Sequence, residues 1–251
     1  MMLETVIPTP NRRFEGRILA ATAFLAALLS VTIGFAVGNR WVLPILNALF
    51  IFPFYISLVA RGRRRQAAAL ILLWAIFMSQ FVIAATCVYP ERASKSIIRG
   101  NEYKAEMFDW IKTGKGKESS PSKFIPSHAL ELLVFCALAV LTAGFGALLL
   151  GAVLLNYMNF YVGSLLAAAK HPILTAFLVW QPYSIVRVIG YIFIATALSE
   201  AVLRIILRRK ANWSRIARYA VGGFSFVVLD IIVKASAAGL WAKMLKATTG
   251  F

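Results

Sequence analysis

Residues 127–209 read SHALELLVFCALAVLTAGFGALLLGAVLLNYMNFYVGSLLAAAKHPILTAFLVWQPYSIVRVIGYIFIATALSEAVLRIILRR, a nearly unbroken apolar block whose few polar residues include His128, Glu131, Asn156, Asn159, His171, Gln181, Arg187 and Glu200 before its closing arginines. From His128 to Ala169 the apolar run is about twice what one bilayer crossing needs, so it either crosses twice or crosses once and then lies flat. Charge decides between these. Arg204, Arg208, Arg209, Lys210, Arg215 and Arg218 at the far end of the block call for the cytoplasmic side. Upstream, Arg61-Gly62-Arg63-Arg64-Arg65 makes the same demand. Between Pro126 on the outside and Arg208 on the inside the number of crossings is odd, and three fit: about His128–Leu148, Gly151–Ala169 and Tyr183–Leu207. The intervening PILTAFLVWQP (172–182) is too short to cross and reads as an outer re-entrant or interfacial piece bracketed by prolines.

Working outward, a polar start with Arg12, Arg13 and Arg17 leads into Ile18–Val37, an apolar run of spanning length. A cleavable signal peptide, with Ala36 and Gly38 as its small-x-small site, is the rival reading, but the run exceeds a usual signal core and further spans follow. Trp41 opens a second span to Ala60, in which Pro44 and Pro53 predict bending. A third runs from Ala67 to about Tyr89. A seventh, about Ile216–Leu240, would leave the carboxyl terminus outside and the amino terminus cytoplasmic. The segment 90–126 carries eight Lys/Arg and five Asp/Glu. Within it Tyr103, Met107, Trp110 and Ile111 fall at i, i+4, i+7 and i+8, which predicts an amphipathic helix lying on the membrane or capping the bundle. Residues 114–122 read as a flexible linker.

The predicted fold is therefore all-α: a polytopic transmembrane bundle of six or seven spans with one amphipathic surface helix. It forms a single integral membrane domain over 1–251, divided into a three-span part (1–89), an extracytoplasmic loop (90–126) and a three- or four-span part (127–251). Composition agrees, with 60% hydrophobic and 15% charged residues. Such a chain has too little polar surface to cover a water-soluble globule. The net charge of +17 comes from short clusters flanking apolar runs, so it marks topology rather than nucleic-acid binding. Cys87 and Cys136, both within apolar segments, signal neither a disulfide framework nor a thiolate metal site.

Ionisable groups inside spans are costly and tend to be paired or functional. Asp230 and Lys234, one turn apart, are expected to neutralise each other, as are Glu200 and Arg204. These pairs read as structural first and as a proton relay second. Glu131 and Arg187 suggest a cross-helix pair between the fourth and sixth spans. His128, Glu131, Asn156, Gln181 and Arg187 form the candidate polar cluster. His128 and Glu131 at i, i+3 could share a metal, but no H-E-x-x-H accompanies them. No catalytic motif, cofactor site or metal site is assigned. Ala143, Ala147 and Gly151, like Gly34 and Gly38, recur at helix-packing spacing.

Gly151–Ser199, with Asn156 and then Gly163 in one span and a proline opening the next, resembles the membrane core of the stage II sporulation protein M family. That family pairs a glycine-rich, Asn-bearing span with a Pro-His-x-x-x-Glu opening. Here Pro182-Tyr183-Ser184-Ile185-Val186-Arg187 keeps the proline but carries Tyr for His and Arg for Glu. Pro126-Ser127-His128-Ala129-Leu130-Glu131 keeps the proline and the glutamate, with the histidine displaced by one and the order of the two spans reversed. The resemblance implies a non-enzymatic inner-membrane scaffold or transport-associated subunit in a prokaryotic cell. The expected partners are the lipid bilayer, other membrane-protein subunits and a second copy of the chain. A transporter or permease component with a polar cavity is the alternative.

Overall fold

A computed structural model describes residues 12–251; the polar start 1–11, read above as cytoplasmic, lies outside the described residues. Among the described residues there are ten helices and no strand. They are α1 (Arg12–Val37), α2 (Val42–Ala60), α3 (Arg64–Val88), α4 (Pro90–Ser96), α5 (Gly100–Thr113), α6 (Pro121–Leu141), α7 (Phe145–Ala168), α8 (Pro172–Leu178), α9 (Pro182–Ile206) and α10 (Trp213–Thr249). Seven of them, α1, α2, α3, α6, α7, α9 and α10, are long and apolar enough to cross a membrane. The protein is an all-α, multi-pass membrane bundle, and the block after His128 contributes two such helices rather than one.

Prolines at the first helical turn open α4, α6, α8 and α9, where their missing N–H costs nothing and their fixed φ suits the helix. Asn212 caps α10 by accepting the Arg215 N–H at 3.1 Å. The break between α6 and α7 falls at Thr142-Ala143-Gly144, not near Leu148–Gly151 as expected. Thr142 explains the shift: its hydroxyl donates to the Leu138 carbonyl at 2.6 Å and accepts the Gly146 N–H at 2.7 Å, satisfying both helix ends. Ala143 and Gly144 both take positive φ, 50° and 102°. A side chain at 144 would also meet Ser199 Oγ. The row Ala143, Ala147, Gly151 is therefore not a packing seam, since Ala143 sits in the turn and Gly151 faces open space.

Close approach occurs elsewhere. At the α9–α10 crossing, a Cβ on Gly190 would lie 2.9 Å from the Gly223 carbonyl oxygen, and one on Gly223 would lie 2.8 Å from that of Gly190. Gly163 of α7 meets Thr86 of α3 in the same way, and Gly34 of α1 meets Leu43 of α2. Small residues let backbones touch where no hydrophobic driving force exists between helices.

The bundle has two distinct ends. At the arginine end, Arg64 of α3 pairs with Glu200 of α9, and Arg63 with Glu15 of α1. At the other, the cap end, α5 turns Met107, Trp110 and Ile111 inward, each 1% exposed, against Tyr161, Leu165 and Leu245. The amphipathic helix thus caps the bundle, its apolar face buried against other helices. Helix α10 has 37 residues, roughly 55 Å at 1.5 Å per residue, so it overruns a hydrocarbon core of about 30 Å and continues past the expected end at Leu240 into the cap. There His171 N–H donates to the Thr248 carbonyl at 3.0 Å, and Lys246 Nζ to the Lys112 carbonyl at 2.7 Å. The 172–182 segment is the short helix α8, which leaves Ile173 and Phe177 exposed, 79% and 78%, as an interfacial anchor would.

Leucine at position 190 should force α9 off α10 and cost about 1–3 kcal/mol. Leucine at Gly222, whose nearest neighbour across the gap is Phe193 at 3.8 Å, should stay within about 0.5 kcal/mol of the parent. Thermal unfolding of the two variants in detergent, followed by size-exclusion chromatography, checks the contrast.

Candidate functional site

Three helices place one face each toward a common point near the cap end. From α6 come Phe124, His128 and Glu131, from α9 Tyr183, Arg187 and Tyr191, and from α10 Asp230 and Lys234. Their spacings of three or four residues are those of a single helix face. Residues 114–120 add Glu118, in a turn where Trp110 Nε1 donates to Ser119 Oγ at 2.7 Å.

The result is a chain of charges. Glu118 Oε2 lies 2.9 Å from Lys234 Nζ. That ammonium is 3.4 Å from His128 Nε2, and His128 Nδ1 is 3.7 Å from Asp230 Oδ2. Asp230 accepts a two-pronged bond from Arg187, Nε to Oδ2 at 2.8 Å and Nη2 to Oδ1 at 3.2 Å. Lys234 and Asp230 are fully buried. The Phe124 and Tyr183 rings stand 4.7 and 5.7 Å from the Lys234 ammonium, close enough for cation–π attraction. Beside this chain, Tyr191 donates its hydroxyl to Glu131 Oε1 at 3.0 Å.

Two expected pairings change partners. Asp230 and Lys234 share a face but each bonds outward, because the planar Arg187 fork matches a carboxylate better than a lysine one turn away and Glu118 reaches Lys234 from outside the helix. Glu131 does not pair with Arg187, whose fork Asp230 already occupies, and takes the Tyr191 hydroxyl instead. Three carboxylates thus face Lys234 and Arg187, with His128 at the centre.

Glu200 and Arg204 do pair, at 3.5 Å, and Arg64 adds a fork on both Glu200 oxygens. Asn156 and Gln181 stand apart from the cluster. Asn156 Oδ1 accepts from Asn47 at 3.3 Å, and Asn47 Oδ1 accepts from Ser30 at 2.7 Å, a buried polar chain joining α7, α2 and α1. Gln181 precedes α9 and accepts from the Ser184 hydroxyl at 3.3 Å. Asn159 is buried, and His171 is exposed in the cap. Sequence reasoning missed Glu118, Tyr191 and Arg64. Tyr191 was within reach, one turn beyond Arg187, whereas Glu118 lies in a segment whose Gly, Ser and Lys composition carries no trace of a buried partner.

Beside the charges lies a cavity in two parts. The outer chamber, about 390 Å³, extends from Arg99, Glu106 and Lys117 at the cap to His128, Glu131 and Arg187. The inner chamber, about 70 Å³, continues past Phe135, Trp74 and Leu148 to Tyr55. Glu131, Leu154, Tyr157, Met158, Ser184 and Arg187 line both. Below, Tyr55 donates to Ser199 Oγ at 3.0 Å, closing the floor one residue from Glu200. On the outer wall, Tyr103 packs against Tyr157 with centroids 4.6 Å apart and the rings tilted by 50°, and burial pushes its phenol well above the usual range, so it stays neutral. Among the described residues no three His, Cys, Asp or Glu side chains converge as a metal site requires.

Comparison with protein-family models, curated proteins and solved structures finds no match, so a functional reading rests on this geometry.

Arg187→Met or Asp230→Leu alone should destabilise the bundle by about 3–5 kcal/mol, since each leaves its partner buried and unpaired. The double variant should recover most of that loss. Unfolding of the four proteins in detergent, followed by tryptophan fluorescence, closes the cycle, and strictly additive losses would show that the two groups do not act as a pair.

Proposed function

We propose that the protein is a carrier or permease component that takes an amphipathic solute into the cavity between α6, α7 and α9. The observation that carries this reading is the two-part cavity itself. A polar mouth at the cap leads past Glu131 and Arg187 into an apolar chamber with a closed floor. Ligand sites have this form, a mostly apolar concavity with a few convergent polar groups. Ionisable residues inside membrane helices commonly mark substrate or ion paths. The polar end of the solute would bond to the free Glu131 oxygen and the rim of Arg187, and its apolar body would lie against Phe135 and Trp74.

The arginine-rich loops favour a cytoplasmic arginine end and an extracytoplasmic cap in a prokaryotic inner membrane, so the cavity opens outward. The resemblance to the stage II sporulation protein M family is proposed on the same footing. Its support is that the two motif-like stretches, 126–131 and 182–187, both reach this one cavity. A scaffold for other membrane subunits, with or without a second copy of the chain, would dock through small-residue faces. The close glycine contacts of Gly190 with Gly223 and of Gly163 with Thr86 are spent within the chain, which favours the carrier.

The test is solvent access from both sides. In a background with Cys87 and Cys136 replaced by serine, Leu154→Cys and Leu148→Cys place thiols in the shared wall and in the inner chamber. In oriented membranes a membrane-impermeant maleimide should reach both from the cap side and, when the floor opens, from the arginine side. Labelling from the cap side alone, or from neither, would remove the carrier reading and leave a static pocket on a scaffold.

A further inference from the structure

The arginine end carries a second concavity on other residues. A cleft of about 880 Å³ lies between the starts of α1, α3 and α10, lined by Arg63, Arg64, Arg65, Arg215, Arg218 and Tyr219, with Glu15 its sole acid among the described residues. Several of these charges are already engaged. Glu15 accepts from Arg63 at 3.4 Å and from Gln66 at 2.8 Å, and Arg64 is held by Glu200. Arg65, Arg215 and Arg218 have no carboxylate within salt-bridge distance among the described residues.

Next to the cleft runs a groove of about 240 Å³ between α3, α9 and α10, walled by Ala68, Ala69, Leu72, Ile189 and Phe193, and it shares Arg65 and Tyr219 with the cleft. From Arg65 to Leu72 it follows α3 for roughly 10 Å, on a side where Leu72 is 38% exposed. Topology alone accounts for arginines at this end. It does not account for three of them without a carboxylate among the described residues around a concavity, with an apolar channel leaving from Arg65 and Tyr219 toward the hydrocarbon.

We infer that this cleft and groove form a binding site for an anionic phospholipid of the arginine-end leaflet. The phosphate sits among Arg65, Arg215 and Arg218, and one acyl chain lies along Ala69, Leu72 and Phe193. Charge complementarity selects the headgroup, since basic pockets between membrane helices suit acidic lipids. The groove selects a lipid over a soluble anion, which would leave it empty. Tyr219 stands at the junction, where an amphipathic ring belongs. The inference stands apart from the carrier reading and survives its failure.

Native mass spectrometry of the full chain in detergent, with phosphatidylglycerol or phosphatidylcholine of identical acyl chains, tests it. Phosphatidylglycerol should be retained as a single tight adduct and phosphatidylcholine should not. Arg215→Gln with Arg218→Gln should weaken retention by roughly tenfold or more. Ala69→Trp, which fills the groove and changes no charge, should weaken it comparably. Arg208→Gln with Arg209→Gln removes two charges at the same end but outside the cleft and should leave retention unchanged. Thermal unfolding confirms that each variant is folded. Equal retention of both lipids, or equal loss in the 208/209 variant, overturns the site. Full retention by Ala69→Trp, together with displacement by glycerol phosphate, overturns the lipid assignment in favour of a headgroup-only anion site.

Discussion

Asp230 cannot reach water, and its carboxylate is tolerable in the bundle only because the Arg187 guanidinium meets both its oxygens. Removing a charge from water costs several kcal/mol, and the attraction of a fork on a carboxylate offsets that only when the geometry is close to ideal. Much of the surrounding architecture serves this requirement. Helices α9 and α10 must lie close enough for a short carboxylate to meet a guanidinium, and Gly190 and Gly223, with no side chains, permit that approach. Helix α6, which otherwise presents most of its surface outward, is tied in through His128. The cap must fold down for Glu118 to reach Lys234. One buried acid thereby fixes the relation of three helices and the extramembrane segment.

The same requirement explains which parts of the structure could be read from the sequence. Apolar length and arginine placement depend on the chain meeting a bilayer, a constraint that acts residue by residue. The seven long helices and their alternating ends follow from it. Turn chemistry was harder. Gly151 looked like a natural break, yet Thr142 serves two helix ends at once, a double role invisible in a hydropathy profile. Partner choice was hardest. Asp230 and Lys234 at i, i+4 form a reasonable pair in isolation, and only the arrival of Arg187 from one side and Glu118 from the other redirects them. Glu200 and Arg204 kept their expected contact because Arg64 joins the acid without displacing its neighbour. The candidate cluster was accordingly half legible. His128, Glu131 and Arg187 converge, whereas Asn156 serves the polar chain with Asn47 and Ser30.

The two ends of the bundle meet the bilayer differently. At the cap, α5 buries Met107, Trp110 and Ile111 against α7 and the last turns of α10, and charges of both signs alternate around the mouth. At the other end the charges are almost all arginine, and the single carboxylate that lines the cleft among the described residues is already engaged. A cap of mixed charge over a polar cavity suits contact with solutes in water. An arginine cleft opening into an apolar groove suits contact with acidic lipid headgroups. The arginine cleft shares no lining residue with the two chambers.

Helix α9 belongs to both charge clusters, with Arg187 in the upper one and Glu200 in the lower, thirteen residues apart. Between them lies the Gly190–Gly223 crossing, where backbone meets backbone and Phe226, Val227 and Ile194 pack around the two glycines. A solute drawing on Glu131 and the edge of Arg187 would compete with Asp230 for the fork, and any tilt of α9 that follows is carried along a continuous helix to Ser199 and Glu200. The floor of the cavity is the single Tyr55–Ser199 hydrogen bond, with the Glu200–Arg64 fork beneath it. In the carrier reading, then, the group that binds and the group that closes are on one rigid rod. Coupling between the two ends needs no longer pathway than that helix.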